Sequence, residues 1–119
     1  MTYPNFSQTD FDTCSPPCKL SDMNELFMDR LQEARTISGI PFILNSAYRL
    51  LEHELAQGRK GTSSHTKGVA VDIAYKSGSE CWKIVEALLF AGFTRIGIAK
   101  SFIHVDYDQD KPKEVMWGY

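Results

Sequence analysis

Apolar and polar residues recur along the chain with two different periods, and the longer period predicts helices. Between Ser21 and Gly39, apolar side chains return every three or four residues, which is the spacing of one helix face. Ser21 or Asp22 is expected to cap this helix, and Gly39 is expected to end it. Its predicted buried face consists of Leu26, Phe27, Leu31 and Ala34.

Two further helices are predicted by the same period. A short helix is expected for RLLEHELA, residues 49–56, and Gly58 stops it. A longer amphipathic helix is expected to start at Ser79 and to end before Gly92. The apolar stripe of this longer helix is formed by Ile84, Val85, Leu88 and Leu89.

The shorter period, of two residues, and short apolar runs predict strands. IPFILNSAY, residues 40–48, is expected to form a buried strand of about six residues. The last two predicted strands are joined tightly enough to form an antiparallel pair, and Trp117 and Tyr119 are expected to cover the sheet edge. The other strands are predicted in GVAVDIAY, FTRIGIA and SFIHVDYD, residues 68–75, 93–99 and 101–108.

The elements follow one another as helix, strand, helix, strand, helix, strand, strand. We therefore expect one compact α+β domain over residues 1–119, with about three helices packed on a small, mainly antiparallel sheet. Residues 1–20 are expected to form an irregular arm, because Pro4, Pro16 and Pro17 oppose regular structure.

Composition and charge exclude several classes of function. The chain has 43% hydrophobic and 24% charged residues, as an ordinary globular protein does. A net charge of −2 argues against a nucleic acid bound through a broad basic surface. No apolar stretch is long enough to span a membrane, and MTYPNFSQTDFD does not resemble a signal peptide. We therefore expect synthesis in the cytoplasm.

The three cysteines, Cys14, Cys18 and Cys81, are an odd number. The CSPPC spacing is compatible with a metal or redox pair, but no second Cys or His pair stands nearby in the sequence. Free thiols in a reducing compartment are therefore the favoured interpretation.

Asp72 lies within a predicted strand, although Asp is depleted in strands and costs free energy when it is buried without a partner. Strand alternation places Asp72 on the face opposite to Val71 and Ile73, between Ala70 and Ala74. These small neighbours leave room for something bulky beside the carboxylate.

Two histidines complete a set of candidate metal ligands with Asp72. His65 precedes the strand of Asp72, and a later strand carries His104 and Asp106 on one face. Two imidazoles and one carboxylate suit zinc, and three protein ligands are typical of a catalytic zinc site with an open fourth position. A single strand histidine is more often structural, so the prediction depends on the coincidence of all three residues.

The segment SSHTKGVAVD, residues 63–72, resembles the S-x-H-x-x-G-x-A-x-D motif of the zinc D-Ala-D-Ala carboxypeptidases. FIHVD resembles their later strand with the third ligand, and IPFILNSAYR is similar to their upstream S-G-Y-R segment. The likeness runs from about residue 21 to the C-terminus. This family groups with lysostaphin-type peptidases and the hedgehog signalling domain, and its small members include phage and prophage endolysins.

The resemblance implies a hedgehog-like fold, one Zn²⁺ per chain, and substrate contacts from Arg49 and Ser63. A guanidinium matches a carboxylate bidentately, which agrees with a role for Arg49 in gripping substrate. The alternative for Arg49 is a surface salt bridge to Glu52 or Glu54. The implied zinc ligands are His65, Asp72 and His104.

The sequence departs from the family pattern at the general base. Several branches carry Glu or Asp three residues before the last zinc histidine, and here that position is Ser101. Asp106 is the predicted catalytic base instead, because strand alternation puts it beside His104. The alternative is that Asp106 orients a zinc histidine.

We therefore predict a zinc-dependent peptidase that hydrolyses peptidoglycan stem peptides, as a D-Ala-D-Ala carboxypeptidase or an L-Ala-D-Glu endopeptidase. We expect a monomer that acts on the bacterial cell wall, as a phage or prophage lysin would. Ser101 keeps open a second hypothesis, a zinc-containing peptidoglycan-binding module without catalysis. In a third, the residues bind no metal and the chain is a structural component of a phage or wall assembly.

Overall fold

Five strands form a single sheet in the computed structural model, which describes residues 2–119. The spatial order of the strands is β1-β2-β4-β3-β5, so that β1 and β5 are the edges. All neighbouring strands are antiparallel except β5, which runs parallel to β3. The strands are β1 Ile43–Ser46, β2 Ala70–Ala74, β3 Arg95–Ile98, β4 Phe102–Asp106 and β5 Val115–Gly118.

Within residues 2–119, four α-helices and two 3₁₀-helices accompany the sheet, which confirms the α+β class. The two long helices pack on each other and enclose the apolar core with one face of the sheet. Phe27 and Phe93 meet edge to face in this core, with ring centroids 5.7 Å apart. The helices are α1 Gln8–Asp12, α2 Glu25–Ser38, α3 Leu51–Ala56 and α4 Gly78–Phe90, with 3₁₀-helices at Leu20–Asp22 and Ser64–Lys67.

The alternation predicted for β2 and β4 is found in the structure. Val71, Ile73, Ile103 and Val105 are fully buried in the core. Each such apolar side chain contributes roughly 1.5–3 kcal/mol to folding through its removal from water. Because side chains alternate along a strand, Asp72 lies on the opposite face of the sheet, away from the apolar core.

The predicted N-cap and one face position of α2 were wrong. Asn24 is the cap, and its side-chain oxygen accepts a hydrogen bond from Phe27 N at 2.9 Å. Leu26 is 63% exposed and Met28 is buried instead, because the buried face is displaced from the predicted one by a fraction of a turn. Gly39 ends the helix in the left-handed conformation, as predicted.

In α4 the start and one stripe position were also wrong. Ser77 caps the helix, and its hydroxyl accepts from Glu80 N at 3.1 Å. Leu89 is 51% exposed, whereas the smaller Ala87 occupies the buried stripe beside Leu88. A stripe chosen by residue size alone missed Ala87, since an alanine can face a core without standing out in the sequence.

The N-terminal arm is more regular than predicted. Its prolines flank α1 rather than interrupt it, and the Ser7 amide donates to the Asp10 carboxylate at 2.9 Å to cap the helix start. Phe11 is fully buried and joins the core. The arm also meets the edge of the sheet, because Ser15 N donates to Asn45 O at 2.9 Å.

The segment predicted as a buried six-residue strand is the four-residue edge strand β1. Ile43 is 56% exposed while Leu44 and Ser46 are buried, so burial alternates along it. At the opposite edge, Trp117, which was predicted to cover the sheet, belongs to the strand β5, which pairs with β3. No helix in residues 2–119 is long and apolar enough to cross a bilayer.

Candidate metal centre

Asp72 and His104 are direct cross-strand partners in the β2–β4 ladder. Residues opposite each other in an antiparallel pair project from the same face with Cβ atoms about 5 Å apart. Asp72 Oδ1 lies 3.1 Å from His104 Nδ1. The backbone register therefore brings these two predicted ligands together.

His65 reaches the same place from the 3₁₀-helix that precedes β2. Ser63 caps this helix, since its hydroxyl accepts a hydrogen bond from His65 N at 3.2 Å. Gly68 then turns the chain into β2 with a φ of 70°, and any side chain there would overlap the backbone oxygen of Asp22. The turn leaves His65 Nε2 at 3.4 Å from Asp72 Oδ1.

Each imidazole is oriented by a hydrogen bond on the nitrogen that points away from Asp72. His65 Nδ1 donates to the Ala47 carbonyl at 2.7 Å, and His104 Nε2 donates to Asp106 Oδ2 at 2.7 Å. A nitrogen that donates to an oxygen carries a proton, so in a neutral ring the other nitrogen presents a lone pair. Loss of the second proton would therefore leave each ring in the tautomer that a metal requires.

The two separations measured from Asp72 fit a tetrahedral zinc ion. Zinc bonds of about 2.0–2.1 Å to N and O imply separations of about 3.3 Å between ligand atoms. The oxygen of Asp72 lies 3.1 Å from His104 Nδ1 and 3.4 Å from His65 Nε2. All three candidate ligand atoms lie within 4.8 Å of one another. The residues present therefore fit a zinc ion.

The electrostatics of the cluster favour an ionised carboxylate. Burial alone would raise the pKa of Asp72, but hydrogen bonds from His104 and His65 outweigh it and hold this pKa well below its ordinary value. For His104, burial alone would lower the pKa, and the bonds to Asp106 and Asp72 raise it above its ordinary value. Metal binding must therefore compete with protonation of His104.

Asp106 is buried behind His104 with both carboxylate oxygens engaged. Oδ2 accepts from His104, while Oδ1 accepts from Arg95 Nε at 2.7 Å and from Asp108 N at 3.2 Å. Its side chain is 1% exposed. Burial would raise the pKa of Asp106, but its hydrogen-bond partners, and His104 most of all, lower this pKa below its ordinary value. Asp106 thus lies on the side of the imidazole ring opposite to Asp72.

Arg49 lies at the border of the cluster. Its Nη1 pairs with Glu54 Oε1 at 3.1 Å, its Nε donates to Ser46 Oγ at 3.1 Å, and its Nη2 lies 3.9 Å from Asp72 Oδ2. The Glu54 pair considered from the sequence is present, but the Glu54 side chain is fully buried rather than on the surface. The Arg49 amide also donates to His65 O at 3.1 Å.

Sequence reasoning missed that Glu54 is buried and that Arg59 pairs with it as well as Arg49. It also missed Asp108, which is buried just beyond β4. The only signal for Asp108 was an acid at a position where the local pattern expects an apolar or a turn residue. Such a signal does not reveal the partner.

Trp117 lies beside the cluster and not merely at the sheet edge. Its ring centroid is 5.6 Å from that of His104, and the Arg95 guanidinium lies over its ring at 5.1 Å. It packs directly on Gly97, where any side chain would overlap the indole. Tyr119 packs on Phe102, with ring centroids 5.5 Å apart.

Comparison with known protein families gives one match. The model of a family described as Peptidase M15 matches residues 6–106. This range contains the three candidate ligands together with Arg49, Ser63 and Asp106. No curated protein matches the chain.

Proposed function

Because this chain belongs to the peptidase M15 family, we propose that it is a zinc-dependent peptidase that hydrolyses peptidoglycan stem peptides of the bacterial cell wall. The observation that carries the proposal is the approach of His65 and His104 to the Asp72 carboxylate, at two separations that match a tetrahedral zinc site. The two proposed activities are D-Ala-D-Ala carboxypeptidase and L-Ala-D-Glu endopeptidase.

Zinc, when bound, polarises a peptide carbonyl and lowers the pKa of water. The chain's own contribution is to hold two imidazoles and one carboxylate in place before the metal arrives. The Ala47 carbonyl fixes the His65 ring, and Asp106 fixes the His104 ring. A site arranged in advance binds metal without first ordering its ligands.

Arg49 is the proposed anchor for a substrate carboxylate. Its side chain is 15% exposed at the border of the cluster, and its guanidinium pairs with the buried Glu54 carboxylate. A guanidinium fork can bind a carboxylate through two parallel hydrogen bonds. Both proposed peptide substrates present a carboxylate near the scissile bond. For Ser63 we propose a substrate contact in addition to its capping of His65.

We assign Asp106 the orienting role on His104. Action as a general base would require one of its oxygens to leave His104, or to leave Arg95 and the Asp108 amide. Ser101, where several branches of the family carry an acid, is exposed in the turn between β3 and β4.

The test is digestion of purified muropeptides by the protein with zinc, with a chelator, and with zinc restored after chelation. Mass spectrometry of the products identifies the bond that is cleaved. We expect new amino groups to appear only in the zinc-containing samples. An absence of hydrolysis across pentapeptide and tripeptide stems at full zinc occupancy would overturn the proposal.

A second candidate is a zinc-containing peptidoglycan-binding module without catalysis, and Ser101 favours it. This module would bind one zinc per chain and retain muropeptides without cleaving them. Elemental analysis and a muropeptide binding measurement, made beside the digestion, separate the two functions. Binding without turnover supports the module, and turnover excludes it.

A further inference from the structure

Asp108 is a buried carboxylate that is not among the candidate metal ligands. Its side chain is 1% exposed. It accepts hydrogen bonds from Ser64 Oγ at 2.7 Å and from Lys67 Nζ at 2.8 Å. Both donors belong to the 3₁₀-helix that carries His65. The carboxylate of Asp108 therefore holds the segment of one imidazole ligand.

The backbone of Asp108 holds the segment of the other imidazole ligand. Its amide donates to Asp106 Oδ1 at 3.2 Å, and the second oxygen of Asp106 accepts from His104 at 2.7 Å. One residue thus connects the helix of His65 with the group that orients His104. In the sequence, Asp108 and Ser64 are 44 positions apart.

We propose that Asp108 is a positioning residue that sets the separation of His65 and His104 and thereby the affinity of the site for zinc. The inference rests on the proposed function in assuming that zinc is the metal. A buried charge costs free energy unless fixed partners satisfy it, so its partners are held tightly. Displacement of the His65 helix would move one ligand relative to the other two.

Asp110 provides a matched control on the same lysine. Its carboxylate pairs with Lys67 Nζ at 3.0 Å, but its side chain is 82% exposed. Asp108→Asn and Asp110→Asn each remove one negative charge near Lys67. Only the first weakens the connection to Ser64 and His65. The comparison therefore separates positioning from a general loss of charge.

The experiment measures the zinc dissociation constant of the wild type and both variants by competition with a chromophoric chelator. We expect Asp108→Asn to weaken zinc binding by about tenfold or more, as outer residues of zinc sites do. Asp110→Asn should stay within about twofold of the wild type, because exposed ion pairs contribute little. The visible spectrum of the Co²⁺-substituted protein should change in Asp108→Asn alone.

A purely structural role predicts a different pattern. The melting temperature of the metal-free Asp108→Asn variant would fall, while the zinc dissociation constant and the Co²⁺ spectrum would match the wild type. That result would overturn the inference. Should Asp108→Asn fail to fold, Ser64→Ala removes the hydroxyl that donates to Asp108 and accepts from Lys111. It keeps the Asp108 carboxylate and is expected to weaken zinc binding in the same direction.

The histidine ring resonances supply a readout without metal. In the metal-free protein, Asp108→Asn should shift the NMR signals of both the His65 and His104 rings, and Asp110→Asn should not. If the wild type bound no zinc, the proposed function would fail. The ring signals of the metal-free protein would still test whether Asp108 positions the two histidines. Unchanged ring signals in Asp108→Asn would count against it.

Discussion

Asp72 and His104 stand directly opposite each other on β2 and β4, with Oδ1 of the carboxylate 3.1 Å from Nδ1 of the ring. Their separation is set by the antiparallel ladder and not by a loop. Backbone hydrogen bonds on both strands would have to break before these two groups could part. This pair is therefore the rigid half of the candidate site, and His65 completes it from a short helix.

Replacement of Asp72 by Asn should abolish stable zinc binding. The amide oxygen is a much weaker ligand than a carboxylate and leaves the site without negative charge. We expect zinc affinity to fall by more than about 100-fold, which exceeds the usual loss from outer residues. Elemental analysis after dialysis measures the metal, and circular dichroism checks the fold. Asp29→Asn, an exposed acid on α2, is the control, and stoichiometric zinc in Asp72→Asn would contradict the assignment.

Replacement of Asp106 by Asn separates its two proposed roles. If it orients His104, zinc affinity should fall by about 10–100-fold, and kcat at saturating zinc should change far less. A general base predicts the reverse, with zinc affinity retained and kcat reduced by about 10²–10⁴-fold. We expect the first pattern, because both oxygens of Asp106 are engaged away from Asp72. Zinc titration and kinetics on the same preparation give the answer.

How much of the candidate site could be predicted from the sequence depends on how far apart in the sequence the interacting residues lie. The faces on which Asp72 and His104 lie followed from strand alternation, because side-chain direction in a strand is a local property. That β2 pairs with β4 in the register that opposes these two residues did not follow from the sequence. The partner of His65 Nδ1 was not predictable, since it is a backbone carbonyl 18 residues earlier. The position of Asp106 on its strand was likewise predictable, but which nitrogen of His104 it would meet was not.

The helix errors have a related cause. Leu26 and Leu89 are apolar and correctly spaced, yet both are exposed, because a helix can rotate slightly without changing its period. Phe11 shows the opposite failure. It lies in a proline-flanked segment with little periodicity, and its burial is decided by core residues distant in the sequence. Packing partners, not local pattern, determine both outcomes.

Replacement of Glu54 by Gln should destabilise the protein. The fully buried Glu54 carboxylate pairs with Arg49 and Arg59. Replacement by the neutral glutamine leaves the Arg49 guanidinium without this negatively charged partner. We expect the free energy of unfolding to fall by about 3 kcal/mol. This is the low end of the usual cost of removing one partner of a buried ion pair, because the other partner, Arg59, is half exposed. Urea denaturation of the metal-free protein measures it. The exposed neighbour Glu52→Gln should change stability by less than about 0.5 kcal/mol, and equal effects would contradict the prediction.

Asp108 should contribute to stability at neutral pH and lose that contribution in acid. Burial alone would raise its pKa, but hydrogen bonds from Lys67 and Ser64 lower the pKa to about 2, from an ordinary value of 3.8. A pKa that is lower in the folded protein stabilises the fold above the unfolded value, and this stability is lost as pH falls from 3.8 toward 2. The difference corresponds to about 2 kcal/mol.

Urea denaturation of the metal-free wild type and Asp108→Asn, at about pH 6 and at successively lower pH, tests this dependence. We expect the wild type to be the more stable protein at neutral pH and the two stability curves to converge as pH approaches the folded pKa. Asp110→Asn should follow the wild-type curve throughout. Parallel stability curves for the wild type and Asp108→Asn would contradict the prediction, because they would show that ionisation of Asp108 does not contribute to the free energy of unfolding.

The Ala47 carbonyl that holds His65 belongs to the main chain, and this has a consequence for sequence variation. A peptide oxygen persists whatever residue occupies the position, so a substitution that fits the buried space leaves the imidazole anchored. Shortening the stretch between Ser46 and Arg49 by one residue would shift that oxygen by about 3.3 Å and release the ring. The number of residues between Ser46 and Arg49 therefore matters more than their identity. Insertions should be tolerated better in the loop at residues 57–62, between α3 and the 3₁₀-helix of His65.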